Sequence, residues 1–411
     1  MHISITTELL GEHPSLLDIA IPEFADNQDL TSWVRGGDGL VGIGIYKRQV
    51  VTGTNRFAEA RKWWRNEIST LDIHNNVHGT GTGPILFTSF SFDPAEESIL
   101  VIPKVVIGQR NGKSWITWIG ASPQPALQKA SIEKSPLNLS WSGSNGDVWQ
   151  DRVARAVEKI KENQLEKVVL ARFASASSDS PINTRNLLKE LAHEYPSTWV
   201  YSNSGLAGAT PELLVRLSKS LVTSRILAGT IRKTGDDERD LALAGSLARS
   251  SKDLEEHEYA VRSVADALAP LCSSTNVPES PFVLHLSNVM HLATDVTGVL
   301  SDNSSPADIF DLVSRLHPSA AVCGTPTEIA KRAIDEIEGI SRGRYAGPIG
   351  WIDANGDGEL GIALRCGQIG NDGKSIRIYA GCGIVAGSDP EREYAESQAK
   401  LLPMRTALEN H

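Results

Sequence analysis

The sequence predicts an α+β fold, with large antiparallel sheets packed together and flanked by helices; its length allows roughly two or three domains or a single large domain. Residues 1–130 consist largely of short apolar runs separated by glycine turns, the signature of strands. From residue 147 onward, stretches of helical spacing alternate with hairpin-like strand pairs, which argues against a parallel doubly wound sheet. No segment repeats at a fixed period, so solenoids and propellers are excluded.

Leu40–Tyr46, Pro84–Phe92, Ser98–Ile107 and Ser114–Ile119 read as strands. The stretch Ser135–Asp147 is the most linker-like, yet its Leu and Trp residues predict a surface loop rather than a tether. Trp149, Val153, Val157 and Ile160 recur at helical spacing and predict a helix over 147–163. Lys167–Phe173 is a strand. Leu187, Leu188 and Leu191 place a helix over 184–194, followed by short strands to Leu227. One long charged helix is expected from Asp237 to Leu268, then helices over 306–315 and Thr327–Glu338. Strands at Ala346–Asp353, Gly361–Cys366 and Ser375–Ala380 lead to a closing helix, Pro390–Leu408. That helix carries Asp389 as its cap and Pro390 in its first turn.

Composition narrows the function. The chain has 411 residues, 40% of them hydrophobic, and 40 Lys plus Arg against 50 Asp plus Glu, a net charge of −10. Without a basic block, such a chain is a poor partner for nucleic acid or an anionic membrane. An anionic ligand would need positive charge concentrated locally. Cys272, Cys323, Cys366 and Cys382 show no CxxC spacing and are expected to be free thiols, with neither a zinc knuckle nor a redox pair. The first residues carry Glu8, Glu12 and Asp18 and lack a signal-peptide pattern, and no apolar run approaches membrane-spanning length. A soluble, cytoplasmic protein is expected.

Two motifs fail on inspection. Asp353-Ala-Asn355-Gly-Asp357-Gly-Glu359 matches the first half of a calcium loop, but the twelfth position is Leu364 and the flanks are strand-like; a polar hairpin turn is expected. Gly381-Cys-Gly383-Ile-Val-Ala386 looks like a dinucleotide fingerprint, but the next strand and acidic residue are missing. A glycine-rich turn whose amides approach an anion is still compatible with it.

Glu393, Glu396 and Lys400 share one face of the closing helix, and Lys252 and Glu256 share a face of the long one. Spacing alone describes only charged helix surfaces. Read together with their neighbours, these segments resemble the chorismate-binding enzyme family in order and wording. The blocks are Lys167-Val-Val-Leu-Ala-Arg172, Thr210-Pro-Glu-Leu-Leu214, Leu227-Ala-Gly-Thr230, Lys252-Asp-Leu-Glu-Glu-His257, His291-Leu-Ala-Thr294 and Leu316–Gly324. They continue with Tyr345-Ala-Gly-Pro-Ile-Gly-Trp351, Gly356–Glu359, Ala363-Leu-Arg365, Ala380–Val385 and Glu393–Lys400.

The resemblance implies an anthranilate synthase component I-like fold in a single large domain, with residues 1–140 a divergent N-terminal part of it and 141–411 the chorismate-binding core. It implies chorismate as substrate and Mg²⁺ as cofactor. Lys167 is present where relatives that install ammonia usually lack a lysine, and Ala228 stands where aminodeoxychorismate synthases carry a nucleophilic lysine, so by this resemblance water is the expected nucleophile. The implied activity is an isomerase, isochorismate synthase; salicylate synthase, which goes on to eliminate pyruvate, is the alternative. By the same resemblance Lys167 is the general base and Glu212 the general acid. Glu256 and Glu396 hold the metal, with Glu393 assisting through water. Arg365 and Tyr345 grip the enolpyruvyl carboxylate, the backbone amides of Gly381 and Gly383 add donors, and Lys400 balances charge. Ala228, Gly229 and Thr230 line the substrate, His291 lies near the C4 oxygen (a structural histidine is the competing reading), and Ala321 and Val322 wall the ring cavity. No glutaminase subunit is expected, and a monomer is. Whether menaquinone, a siderophore or salicylate is the end product stays open.

Overall fold

The structure, a computed structural model, describes residues 3–24, 29–120, 124–130, 137–143, 146–302 and 307–410. It contains two large sheets that share one bent pair of strands. Asp38–Val51 and Ser98–Arg110 run antiparallel along their whole length, with a register shift between Ile45 and Lys47. Such an irregularity bends a ladder and increases its twist.

On one side of the bend the first sheet runs outward through Leu30–Arg35, Trp199–Asn203, Leu206–Thr210, Cys366–Ile369, Ser375–Ile384, Lys167–Ser178 and Leu139–Gly143. In the other direction it continues through Lys113–Ile119, Ile3–Leu10 and Leu71–Asn75, the last pairing parallel. Beyond the bend the second sheet runs through Ile85–Ser89, Pro348–Asp353, Gly358–Ile362, Leu213–Ser218, Leu221–Arg232 and Val289–Leu300. In each sheet the strands of the first 120 residues form one block that meets the later strands at a single seam, Leu30–Arg35 against Trp199–Asn203 in the first and Ile85–Ser89 against Pro348–Asp353 in the second.

The main core joins the two sheets. Trp33, Leu170, Tyr201 and Leu206 of the first sheet belong to one buried cluster with Leu213, Val215, Ile349 and Leu360 of the second. A second cluster seats Leu187, Leu188 and Leu191 of helix Thr184–Glu194 and Leu401, Met404 and Leu408 of helix Pro390–Glu409 on the first sheet. Each fully buried aliphatic side chain contributes about 1.5–3 kcal/mol, so these seams fix the helices more firmly than propensity does.

Most expected elements form, with four differences. The charged helix is two helices, Asp237–Leu247 and Ser251–Leu268, because Ser250 turns out of helical geometry and its side chain accepts the Asp253 N–H. Gly361–Cys366 is not one strand: Gly358–Ile362 belongs to the second sheet and Cys366–Ile369 to the first. Helix Arg56–Ser69, which buries Phe57, Ala60 and Trp64, lies in a region read as strands only. The expected loop holds the strand Leu139–Gly143; its residues 135–136 and 144–145 lie outside the described residues, as does residue 306, the expected start of the helix observed at Ile309–Leu316. The calcium-like motif is a hairpin turn, as expected, and Asp353 accepts the N–H groups of Gly81, Asn355 and Asp357. The four cysteines are free thiols. No helix among the described residues is long and apolar enough to cross a membrane.

Candidate active site

Two chain segments cross between the sheets at the same place. Thr210-Pro211-Glu212 connects Leu206–Thr210 of the first sheet to Leu213–Ser218 of the second. Leu364 and Arg365 make the return crossing, with Arg365 in the left-handed region at φ 48°. A residue held in that region is a strained one that its surroundings must enforce. These crossings deliver an acid and a cation to one narrow cavity of about 60 Å³.

Its lining contains thirteen of the residues picked out by sequence: Glu212, Ala228, Gly229, Thr230, Glu256, His291, Ala321, Val322, Tyr345, Arg365, Gly381, Gly383 and Lys400. Lys167, Glu393 and Glu396 are outside this lining: Lys167 and Glu396 are joined to it by ion pairs with Glu256 and Lys400, and Glu393 pairs with Lys252. Val169, Pro211, Leu227, Arg342, Ala346 and Leu364 also line the cavity and were not foreseen.

Three glutamates and three lysines form the polar end. Lys167 Nζ lies 3.4 Å from Glu256 Oε1, Lys252 Nζ 2.7 Å from Glu393 Oε1, and Lys400 Nζ 2.5 Å from Glu396 Oε1. Lys167 is fully buried on the strand facing Gly383. Burial lowers its pKa from the ordinary lysine value, against the opposing pull of Glu256. A Cβ on Gly383 would stand 2.0 Å from Glu256 Oε1 and 3.1 Å from Lys167 Cε, so only glycine leaves room for this pair. Gly229 sits at a bulge in the pairing of Leu221–Arg232 with Val289–Leu300, at φ 77°, and a Cβ there would meet Asp253 at 2.9 Å. The bulge lets helix Ser251–Leu268, with Glu256, approach the strand.

Burial pushes Glu212 up to about 8, against the lowering influence of Lys167, Arg365 and Lys400. It therefore holds a proton at neutral pH in a site crowded with cations. Burial likewise pushes Glu393 up to about 7, helped by the neighbouring charge of Glu396. Burial acts upward on Glu396 too, but Lys400 and Lys252 outweigh it and keep that carboxyl below its usual range.

The donor atoms of Cys382, Glu393 and Glu396 lie within 4.8 Å of one another, and Glu393 Oε2 is buried without a hydrogen-bond partner among the described residues. An unpartnered buried carboxylate oxygen is costly unless something else satisfies it. The carboxylates offer hard oxygen donors, whereas burial pushes the Cys382 thiol up and its Sγ donates to the Glu393 carbonyl at 3.3 Å. This donor set fits a hard divalent cation such as magnesium, with the thiol a bystander.

At the other end Arg365 Nη2 donates to His291 Nε2 at 3.1 Å. Arginine can only donate, so Nε2 accepts and the proton sits on Nδ1, which faces Gly229 O at 3.2 Å and Thr230 Oγ1 at 3.1 Å. Burial and the Arg365 charge keep His291 well below the usual imidazole range, in keeping with this neutral tautomer. Among the described residues Arg365 has no carboxylate partner, and its other N–H groups suit a planar anion. Tyr345 stacks on Tyr379 at 5.0 Å, and its hydroxyl would lie 2.8 Å from a Cβ on Gly381. Buried cations aimed at a cavity in a protein of net charge −10 mark an anion site.

The family description "Chorismate binding enzyme" matches residues 23–409. The chain belongs to the chorismate-binding enzyme family. Isochorismate synthase MenF of Bacillus subtilis (strain 168) is 32% identical over 408 residues, 90% of this chain and 85% of that protein. Isochorismate synthase DhbC of the same organism is 38% identical over 336 residues, 79% and 81% of the two chains. Among solved structures, the menaquinone-specific isochorismate synthase MenF from Escherichia coli superposes with a TM-score of 0.81 over 99% of this chain and 94% of that one; at 24% identity it speaks for the fold alone. The fold is thus that of the chorismate-binding enzymes, as the sequence implied.

Proposed function

We propose that the protein converts chorismate to isochorismate with Mg²⁺. The observation that carries this reading is a cavity lined by a buried glutamic acid of raised pKa and by an arginine with no carboxylate partner among the described residues, with a fully buried lysine of lowered pKa joined to its lining through Glu256. A general base must be neutral and a general acid protonated near pH 7, and burial drives Lys167 and Glu212 in those directions. The names of the curated relatives support the same chemistry.

In this reading Arg365, oriented by neutral His291, receives the enolpyruvyl carboxylate, with the Tyr345 hydroxyl beside it. Ala321 and Val322 flank the ring. Lys167 Nζ takes a proton from the attacking water as its oxygen bonds to C2. The ring double bonds shift, the C4–oxygen bond breaks, and Glu212 protonates the departing hydroxyl, which leaves as water. One water enters and one leaves, so the net change is an isomerisation; the proton then returns from Lys167 to Glu212 through solvent. Ala228 leaves no amine to compete with water. Glu256 and Glu396 would hold the magnesium ion, with Glu393 beside them. When bound, it supplies positive charge that neutralises substrate carboxylate in a site already balanced by its own lysines and glutamates.

Chromatographic assay of the purified protein with chorismate, with Mg²⁺ and with EDTA, tests the proposal. Isochorismate rising to an equilibrium mixture only with Mg²⁺ is the expected result. Salicylate plus pyruvate would assign the second elimination activity instead, and no turnover would refute the reading.

A further inference from the structure

Among the described residues, the strand Lys167–Ser178, which carries the proposed base, is missing a neighbouring strand along part of one edge. Its other edge pairs with Ser375–Ile384 continuously from Val168 to Ser177. On the first edge, among the described residues, Gly324–Thr325 pairs with Lys167 and Val168, the Val169 N–H reaches Cys323 O at 2.7 Å, and Leu139–Gly143 pairs from Ala174 onward. Between them lies a gap where backbone groups deep in the core need partners.

Two side chains fill it. Arg342 Nη2 donates to Val169 O at 2.7 Å, and Glu338 Oε1 accepts the Ala171 N–H at 2.6 Å. The two also bond to each other, through Arg342 Nε to Glu338 Oε2 at 3.0 Å and through Nη2 to Oε1. Their side chains are 3% and 1% exposed, and the guanidinium lies 4.2 Å over the Phe92 ring. One donor and one acceptor at alternate residues is what a neighbouring strand would offer. Arg342 also donates through Nη1 to Val322 O at 2.9 Å. Val169, Val322 and Arg342 all line the cavity. A single rigid fork therefore spans its two walls, one on the strand behind Lys167 and one on the segment expected to flank the ring.

We propose that Glu338 and Arg342 are positioning residues: a buried side-chain pair standing in for an absent strand, which sets the spacing of the two cavity walls. The kinetic arm of the test rests on the proposed chorismate chemistry; the structural arm does not.

Amide exchange of the wild-type protein gives the structural arm. Ala171 N–H exchanges as slowly as its neighbours in the paired part of the strand, and Glu338→Ala releases it by about a hundredfold or more relative to them. An Ala171 amide that exchanges like an open edge in the wild type would overturn the proposal without any variant. In the kinetic arm Arg342→Lys keeps the charge but loses the fork. Its KM for chorismate rises by about tenfold, with a native circular dichroism spectrum and an unchanged Mg²⁺ half-saturation, whereas Glu338→Gln, which keeps the Ala171 acceptor, stays within about threefold of wild type. A merely structural pair would lower the active fraction and hence apparent kcat, leaving KM unmoved; that result overturns the proposal. If Arg342→Lys does not fold, an unchanged KM in Glu338→Ala does the same. A wild-type protein that fails to turn chorismate over refutes the functional reading alone, and the exchange data still decide on the pair.

Discussion

Replacing Glu212 with glutamine removes one buried proton-binding site while keeping the side chain's shape. In the folded protein this carboxyl is pushed from 4.5 up to about 8, first by burial. Once unfolded it returns to the ordinary value, so between those two pH values unfolding releases one proton. The folded state binds more protons than the unfolded one in this window, hence stability falls as pH rises, by about 1.36 kcal/mol per pH unit. The full effect would approach about 5 kcal/mol over the roughly 3.5 units between the two values. Glutamine has no such proton. Urea unfolding of both proteins at about pH 5.5 and about pH 7.5 isolates this group, because the other titrating groups are common to both. The wild type loses about 2–3 kcal/mol relative to the variant between these conditions. The same ionisation makes wild-type kcat/KM decline above about pH 8, and the variant is inactive at every pH. A stability difference that stays constant between the two pH values would mean that Glu212 ionises normally, and it could not then serve as the acid.

Other outcomes follow from the same geometry. Lys167→Ala lowers kcat by about 10²–10⁴-fold, measured by isochorismate formation, with fold and substrate binding kept; its residual rate does not respond to pH through a lysine. Arg365→Lys keeps the charge but loses the planar fork and the bond to His291, so KM for chorismate rises by about 10- to 100-fold, the loss of about 1.5–3 kcal/mol of charge-assisted bonding, with a smaller change in kcat. Gly383→Ala drives a methyl group against Glu256 Oε1; it costs about 1–3 kcal/mol in thermal or urea unfolding and suppresses Mg²⁺-dependent turnover. Glu256→Gln shifts the Mg²⁺ half-saturation upward, and an unchanged metal response would strike it from the set of ligands.

Local signals carried the sequence reading furthest where structure is locally determined. Asp389 before Pro390 marks a helix start, and the Asp389 side chain does accept the Arg392 N–H. The helix at Thr184–Glu194 follows from three leucines on one face. The break at Ser250 was readable in principle, since a serine three residues before an aspartate is a capping pattern, but the charged run on both sides masked it. Helix Arg56–Ser69 hid because its apolar residues are few and its neighbours are strands. In the site, blocks in order named the cavity lining, yet Arg342 and Glu338 escaped notice. Their partners, Val169, Ala171 and Val322, are brought to them only by the sheet, and no spacing along the chain encodes that meeting.

The bent strand pair that the two sheets share has a consequence for how this protein can be cut and joined. Trp199–Asn203 rests on Leu30–Arg35, and Pro348–Asp353 on Ile85–Ser89. Residues late in the chain therefore have as neighbours residues from its first quarter. Severing the chain near residue 140 would strip the partner from one edge of Leu30–Arg35 and Ile85–Ser89 on one fragment and of Trp199–Asn203 and Pro348–Asp353 on the other, edges prone to pairing with other copies. Such a protein does not exchange parts with a relative as interchangeable modules. Chimaeras would be tolerated where a whole hairpin or a surface helix is swapped, while a half-and-half splice would have to be matched at both seams at once, one in each sheet.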